Sequence, residues 1–118
     1  MDRVKKIIHK GKEIIHIDYS DCRGEDMIAV AAKVTELIIA ENKEVLLFSI
    51  FNKKNYITPG VMKQLETGLK LIESLVKKNA VIGLSGPQLW ILKGVNLWIK
   101  KKIRPFESTE QALDFLVE

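Results

Sequence analysis

Scarcity sets the first bounds on this chain. A single cysteine, Cys22, excludes an internal disulfide and makes a reducing, cytoplasmic location the expectation. Two histidines, His9 and His16, are too few to build a zinc centre, and no second cysteine stands at ligand spacing. The sequence has no glycine-rich phosphate loop, no dinucleotide fingerprint and no zinc-protease motif. No catalytic, cofactor or metal site is therefore expected. Uninterrupted apolar runs fall far short of the ~20 residues a membrane span needs. The opening residues, Met1-Asp2-Arg3-Val4-Lys5-Lys6, lack the apolar core of a signal peptide. The three prolines and seven glycines are spread along the chain rather than gathered in one flexible stretch. With no linker or repeat in view, residues 1–118 are expected to form one domain.

What is present is the balance of a globular protein: 47% hydrophobic and 29% charged residues, which is enough apolar material for a core without staples. A net charge of +4 permits contact with anionic surfaces without requiring it. Val4–His9 and 13–19 read as two short strands joined at Lys10-Gly11-Lys12, a hairpin. Met27, Val30, Ala31, Val34 and Ile38 recur at helical spacing over 25–40. Residues 45–51 are almost continuously apolar, the pattern of a strand covered on both faces. After a polar loop at 52–56, Thr58-Pro59 predicts a helix start. Its apolar stripe is Val61, Leu65, Leu69, Ile72 and Val76, with Glu66/Lys70 and Glu73/Lys77 as i,i+4 pairs on its wet side. Residues 80–84 predict another strand, and Ser85 with Gln88 has capping-box spacing for a third helix. Ile103–Phe106 closes the set of strands, and Ser108 with Gln111 opens a last helix, Thr109–Val117. The order β-β-α-β-α-β-α-β-α predicts an α/β fold: a mixed, mostly parallel sheet with an N-terminal hairpin and four helices.

Several of these segments carry a likeness. Gly11-Lys12-Glu13, Ile17-Asp18-Tyr19-Ser20, Gly83-Leu84-Ser85-Gly86, Val95-Asn96 and the closing run from Phe106 to Leu116 together resemble the SpoIIAA-like branch of the STAS superfamily, the sulphate-transporter and anti-sigma-factor-antagonist domain. The likeness is to its small stand-alone bacterial proteins. It implies a non-enzymatic domain that works by binding. Anti-sigma antagonists switch partners on phosphorylation of a serine at the start of the helix after the central strand. Here that region is Asn55-Tyr56-Ile57-Thr58-Pro59-Gly60, and the Asp-Ser pair of the switch is absent. Thr58 is its hydroxyl at the helix end, apart from Tyr56. The branch is also similar in architecture to the CRAL-TRIO lipid-carrier domain, which implies an apolar ligand by analogy of fold.

Each candidate residue has a plainer reading beside it. Ser85, in Gly83-Leu84-Ser85-Gly86-Pro87, sits where a nucleophile elbow would, but the elbow needs glycine where Pro87 stands. A helix cap is the expected role, with Ser85 and Thr58 retained as candidate phosphoacceptors. Cys22 is flanked by Arg23, which would lower its pKa, but an incidental thiol is expected. His9 and His16 read as surface residues of an edge hairpin.

The third helix stands apart. Wound at about 100° per residue, Ile91, Leu92, Val95, Trp98 and Ile99 form one apolar face, and Trp90, Gly94 and Leu97 a second stripe beside it. One stripe suffices to pack on a sheet. The other is expected either to be buried under a neighbouring element or to meet a partner protein, a second copy, an apolar or lipid ligand, or an anionic membrane surface. Lys100, Lys101, Lys102 and Arg104 follow, favourable for the helix C-terminus or for an anionic group. Nucleic-acid binding is not expected from one short basic cluster. The working surface is thus expected at Trp90, Lys93, Leu97, Trp98, Lys100 and Lys101, as a protein-interaction site. A lipid carrier with its pocket between this helix and the sheet, and a phosphorylation-controlled partner switch, are the alternatives.

Overall fold

The computed structural model of the protein describes residues 3–118; Met1 and Asp2, which head the basic opening stretch, lie outside the described residues. Strands β1 (Val4–His9) and β2 (Lys12–Asp18) form the expected hairpin. Lys10 and Gly11 both sit at positive φ, 50° and 80°, as in a type I′ turn, whose twist suits paired strands. Helix α1 (Gly24–Glu41), strand β3 (Val45–Ile50), helix α2 (Pro59–Ile72), strand β4 (Val76–Ile82), helix α3 (Gly86–Asn96), strand β5 (Ile103–Phe106) and helix α4 (Thr109–Val117) follow. The strands lie side by side in chain order. Only β1 and β2 are antiparallel; β2, β3, β4 and β5 run parallel. This is the mixed α/β sheet with four helices that the sequence predicts.

Alternation along the strands divides the core between the two sheet faces. Ile15, Ile17, Val45 and Leu47 face α1 and α2, where Met27, Val34, Ile38 and Ile72 are buried with them. Val81 and Ile103 continue this face under Leu92 and Val95 of α3 and the following Ile99. On the opposite face Ile14, Phe48 and Ala80 pack against Ala112 and Leu116 of α4.

The α2–β4 boundary differs from the sequence expectation. The helix stops at Ile72 and the strand begins at Val76 rather than at residue 80. The Leu75 N–H turns back to the Ile72 carbonyl, and the Leu75 carbonyl then accepts from the Val45 N–H. Val76 therefore enters the core as a strand residue. Lys77 is consequently on a strand, so it forms no helical pair with Glu73; the Glu73 carboxylate instead accepts the Lys100 backbone N–H. Lys78 leans over α4, its ammonium 4.9 Å above the Phe115 ring and 3.0 Å from the Phe115 carbonyl.

Gly83 sets the entry to α3. Its φ is +86°, and an added Cβ would lie 1.8 Å from the Phe51 carbonyl oxygen. The chain can pass this close to β3 only as glycine.

Candidate binding face and cavity at the third helix

Helix α3 is tied down at both ends. At its start the Ser85 N–H donates to Gln88 Oε1 at 2.9 Å, and the Ser85 hydroxyl donates to the same oxygen at 3.2 Å. Gln88 is buried, and its Nε2 reaches the carbonyls of Asn52 at 3.1 Å and Asn55 at 3.2 Å. Asn55, also buried, donates through Nδ2 to the carbonyls of Tyr19 at 2.6 Å and Cys22 at 2.8 Å. Asn52 and Asp21 exchange hydrogen bonds at 3.1 and 2.9 Å, which holds Asp21 at its positive φ. These residues staple the loops after β2, β3 and β4 into one polar layer at the strands' carboxyl ends. The sequence pattern gives Gln88 as a cap alone and 52–56 as a loop; the two asparagines in that loop are the available signal.

At the other end the Asn96 amide pairs with Ile103 as a strand would: its Oδ1 accepts the Ile103 N–H at 2.9 Å, and its Nδ2 donates to the Ile103 carbonyl at 3.0 Å. Lys102 donates to the carbonyls of Asn96 and Ile99, the latter at 2.8 Å. The helix thus ends before Trp98, and the chain tightens through the Trp98 N–H to the Val95 carbonyl, 2.9 Å. Ile99 takes the core position.

The consequence corrects the helical winding. Trp98 does not share the buried face with Leu92, Val95 and Ile99; it is 67% exposed, beside Trp90 at 73% and Leu97 at 83%. Burial of the tryptophans within the monomer is likewise overturned, since no element among the described residues covers them. Lys93 lies over the Trp90 ring at 4.7 Å. Lys93, Lys100 and Lys101 are exposed, and their ammonium groups join no ion pair among the described residues. The rest of the basic run is divided. Lys102 caps the helix end, and Arg104 stacks on the α4 side, 5.0 Å from the Phe115 ring.

Under α3 the packing is incomplete. Helix α2 packs on α1 and α3 on β5, and Met62 and Leu69 of α2 reach across to the cluster that holds Leu92 and Val95. A cavity of about 120 Å³ lies between α2, α3 and the sheet, walled by residues such as Leu65, Leu69, Val81, Leu92 and Val95. Ser49 and Asn79 bring polar atoms to its floor.

The other candidates resolve differently. Thr58 Oγ1 accepts the Val61 N–H at 3.2 Å, an N-cap contact. Ser85 has no histidine neighbour: His9 Nε2 pairs with Asp114 Oδ1 at 2.9 Å, and the His16 ring meets Phe48 edge-on at 5.4 Å. His9 does lie on the edge strand β1, half-buried, whereas β2, which carries His16, lies inside the sheet. Burial, then the Lys5 ammonium, hold His16 below its ordinary pKa. Cys22 is buried, and burial pushes its thiol up; the Arg23 effect expected from sequence does not appear. Among the described residues no three His, Cys, Asp or Glu side chains converge as metal ligands. No helix among the described residues is long and apolar enough to cross a membrane.

No family model matches the sequence, and no curated protein matches it. Among solved structures, the chain is similar to an uncharacterised protein of the DUF3478 family from Shewanella loihica PV-4, described as having a SpoIIAA-like fold. The TM-score is 0.70 at 16% identity, over 96% of this chain and 91% of that one. At that identity the likeness speaks for architecture alone. The five-stranded mixed sheet, with its antiparallel N-terminal hairpin and four helices, is a SpoIIAA-like fold, as the sequence resemblance implied.

Proposed function

We propose that this protein is a non-enzymatic binding module that docks a partner protein on the outer face of α3 and the turn after it. The observation that supports this most is the exposure of Trp90, Leu97 and Trp98 together, beside three unpaired lysines. Trp90 and Leu97 are seven residues apart, two helical turns, and so share one side. Large aromatic side chains next to cations are what interface centres are made of.

Charge selects among occupants. A symmetric pair of copies would bring lysines against lysines, which costs affinity. An anionic bilayer is read by clusters of about four to eight basic residues. With Lys102 and Arg104 engaged elsewhere, Lys93, Lys100 and Lys101 fall short of that. A protein surface with an apolar pocket and a carboxylate rim fits both halves of the patch. The phosphorylation switch has less support, since the Thr58 hydroxyl is occupied by its cap.

A photoreactive side chain placed at position 97 tests this in the native cells. A single protein adduct should form, weaken as salt rises, and disappear with Trp90→Ser/Trp98→Ser; the same probe at exposed Ile39 on α1 should give none. An adduct of two copies of this chain would reassign the face to self-association. Sedimentation with phosphatidylserine vesicles would reassign it to a membrane.

A further inference from the structure

We propose that the partner's element seated on α3 is an amphipathic helix, acidic on one flank, whose apolar ridge enters the gap left by Gly94. This rests on the docking reading above and names what docks.

The outer stripe of α3 has a regular spacing of its own. Pro87, Trp90, Gly94 and Leu97 follow at steps of three, four and three residues. All four lie within the helical winding, Leu97 as its cap in the right-handed conformation. A three–four alternation keeps residues in line along one side of a helix, and it is the pattern by which one helix receives another. The inner stripe, Gln88, Leu92 and Val95 continued by Ile99, has the same alternation and is buried. At about 100° per residue the two stripes lie on roughly opposite sides. Helix α3 thus has one seam packed on its own sheet and a second that no described residue fills.

Gly94 marks where the occupant comes closest. A Cβ added there meets nothing within 4 Å. The fold therefore makes no demand for glycine, and glycine in mid-helix costs stability relative to alanine. It leaves a hole in the seam, with exposed Trp90 one turn before it and exposed Leu97 one turn after. A side chain on a facing helix enters such a hole as a knob.

Extended segments fit less well. A strand gains affinity from hydrogen bonds to an open sheet edge, whereas the α3 backbone is bonded within its own helix. A proline-rich segment suits an aromatic groove but gives the lysines nothing to meet. Lys93 borders the seam, and Lys100 and Lys101 stand past its end. The Glu73 carboxylate near Lys100 accepts that residue's backbone N–H. The remaining carboxylates must come from the occupant, on the flank that faces Lys93 and beyond Leu97.

The test places benzoylphenylalanine at position 90 or 97 of the full chain, crosslinked in the native cells. The two positions stand about 10.5 Å apart along the axis. That span covers about seven residues of a facing helix and about three of an extended chain. Mass spectrometry of the adducts should place the two marks about seven residues apart, in a segment with Asp or Glu along one flank. Gly94→Leu fills the hole and favours the helix. It should raise the urea midpoint of the free chain while the adduct yield at 97 falls about tenfold. Gly94→Ala adds only the atom for which there is room, so it keeps the test open if leucine disturbs the fold; its yield should fall severalfold. Marks about three residues apart, a segment without an acidic flank, or an undiminished yield from both variants overturns the proposal and leaves the docking face standing. Absence of any protein adduct at 97 overturns the docking reading and this one with it.

Discussion

Helices α3 and α4 both follow a strand of the parallel part of the sheet and both open on a serine, yet α4 hides its apolar residues and α3 displays them. In α4, Ala112 and Leu116 are buried, Leu113, Phe115 and Val117 are half-buried, and the remaining residues are polar. In α3, Leu92 and Val95 are buried, while Trp90 and the Leu97 cap stand in solvent. Beneath α4 lie Phe48 and Ala80, both wholly enclosed; beneath α3 lies the cavity. A helix that only closes a core has no use for exposed tryptophan or for a void under it. The difference marks α4 as a cover and, on the function proposed above, α3 as the element that meets other molecules.

The largest effect should come from the root of α3. Gly83→Ala would force a side chain into positive φ and against the Phe51 carbonyl, 1.8 Å from the new Cβ. Strain and overpacking together should cost about 3–5 kcal/mol, read as a lower urea midpoint. A cost near zero would mean that the β4–α3 turn does not hold this geometry.

Adjacent residues of β4 offer a sharper contrast. Ala80 faces α4 and Val81 faces the cavity. Ala80→Val has no room and should destabilise by about 1–3 kcal/mol. Val81→Ile adds one methylene where there is space and should stabilise by about 0.5–1 kcal/mol. Opposite signs in urea unfolding would confirm that the two faces are packed differently; a cost from both would deny it.

How far the sequence could be read follows the same division. The strands and helices were legible because each strong run obeys one period: Val45–Ile50 is buried at five consecutive positions, and the α1 stripe lies where the spacing put it. Val76 fits a helical stripe and a strand equally well, and the choice is made by the Leu75 turn, which no local pattern announces. Trp98 was misassigned because α3 is ended by the Asn96 amide pairing with Ile103, seven residues on, rather than by glycine or proline. The basic run looked like one feature and is three, since Lys102 and Arg104 find partners on different sides of the fold. The cavity lies where the carrier alternative puts a pocket, between this helix and the sheet, but only fold analogy points there and no residue pattern marks it. It is a gap left by the relative placement of α2 and α3, and Asn79 reads in the chain as one more polar residue after two lysines.

Acid should probe the α4 side gently. His16 shares that face with Phe48, and burial, then Lys5, lower its pKa from the ordinary 6.5. The unfolded chain takes up its proton near 6.5 while the folded chain still resists. Stability from this residue is therefore complete above 6.5 and is lost as pH falls from there through the lowered value. His16→Gln should flatten the fall in urea midpoint between about pH 7 and 5. An unchanged slope would assign the acid response to other groups.

The smallest effect on stability should accompany the largest effect on binding. Trp90→Ser/Leu97→Ser removes two side chains that are 73% and 83% exposed and pack on no core cluster. Surface changes of this kind stay within about 0.5 kcal/mol each, and losing the Lys93 contact over Trp90 adds little at an exposed site. The equivalent change on α4, Leu113→Ser/Phe115→Ser, strips half-buried walls from the Phe48 cluster and the rings under Lys78 and Arg104. It should cost several times more, with thermal unfolding as the check. If the α3 pair proves as costly as the α4 pair, those tryptophan and leucine side chains hold the fold together after all, and the contrast between a covering helix and a displaying one collapses.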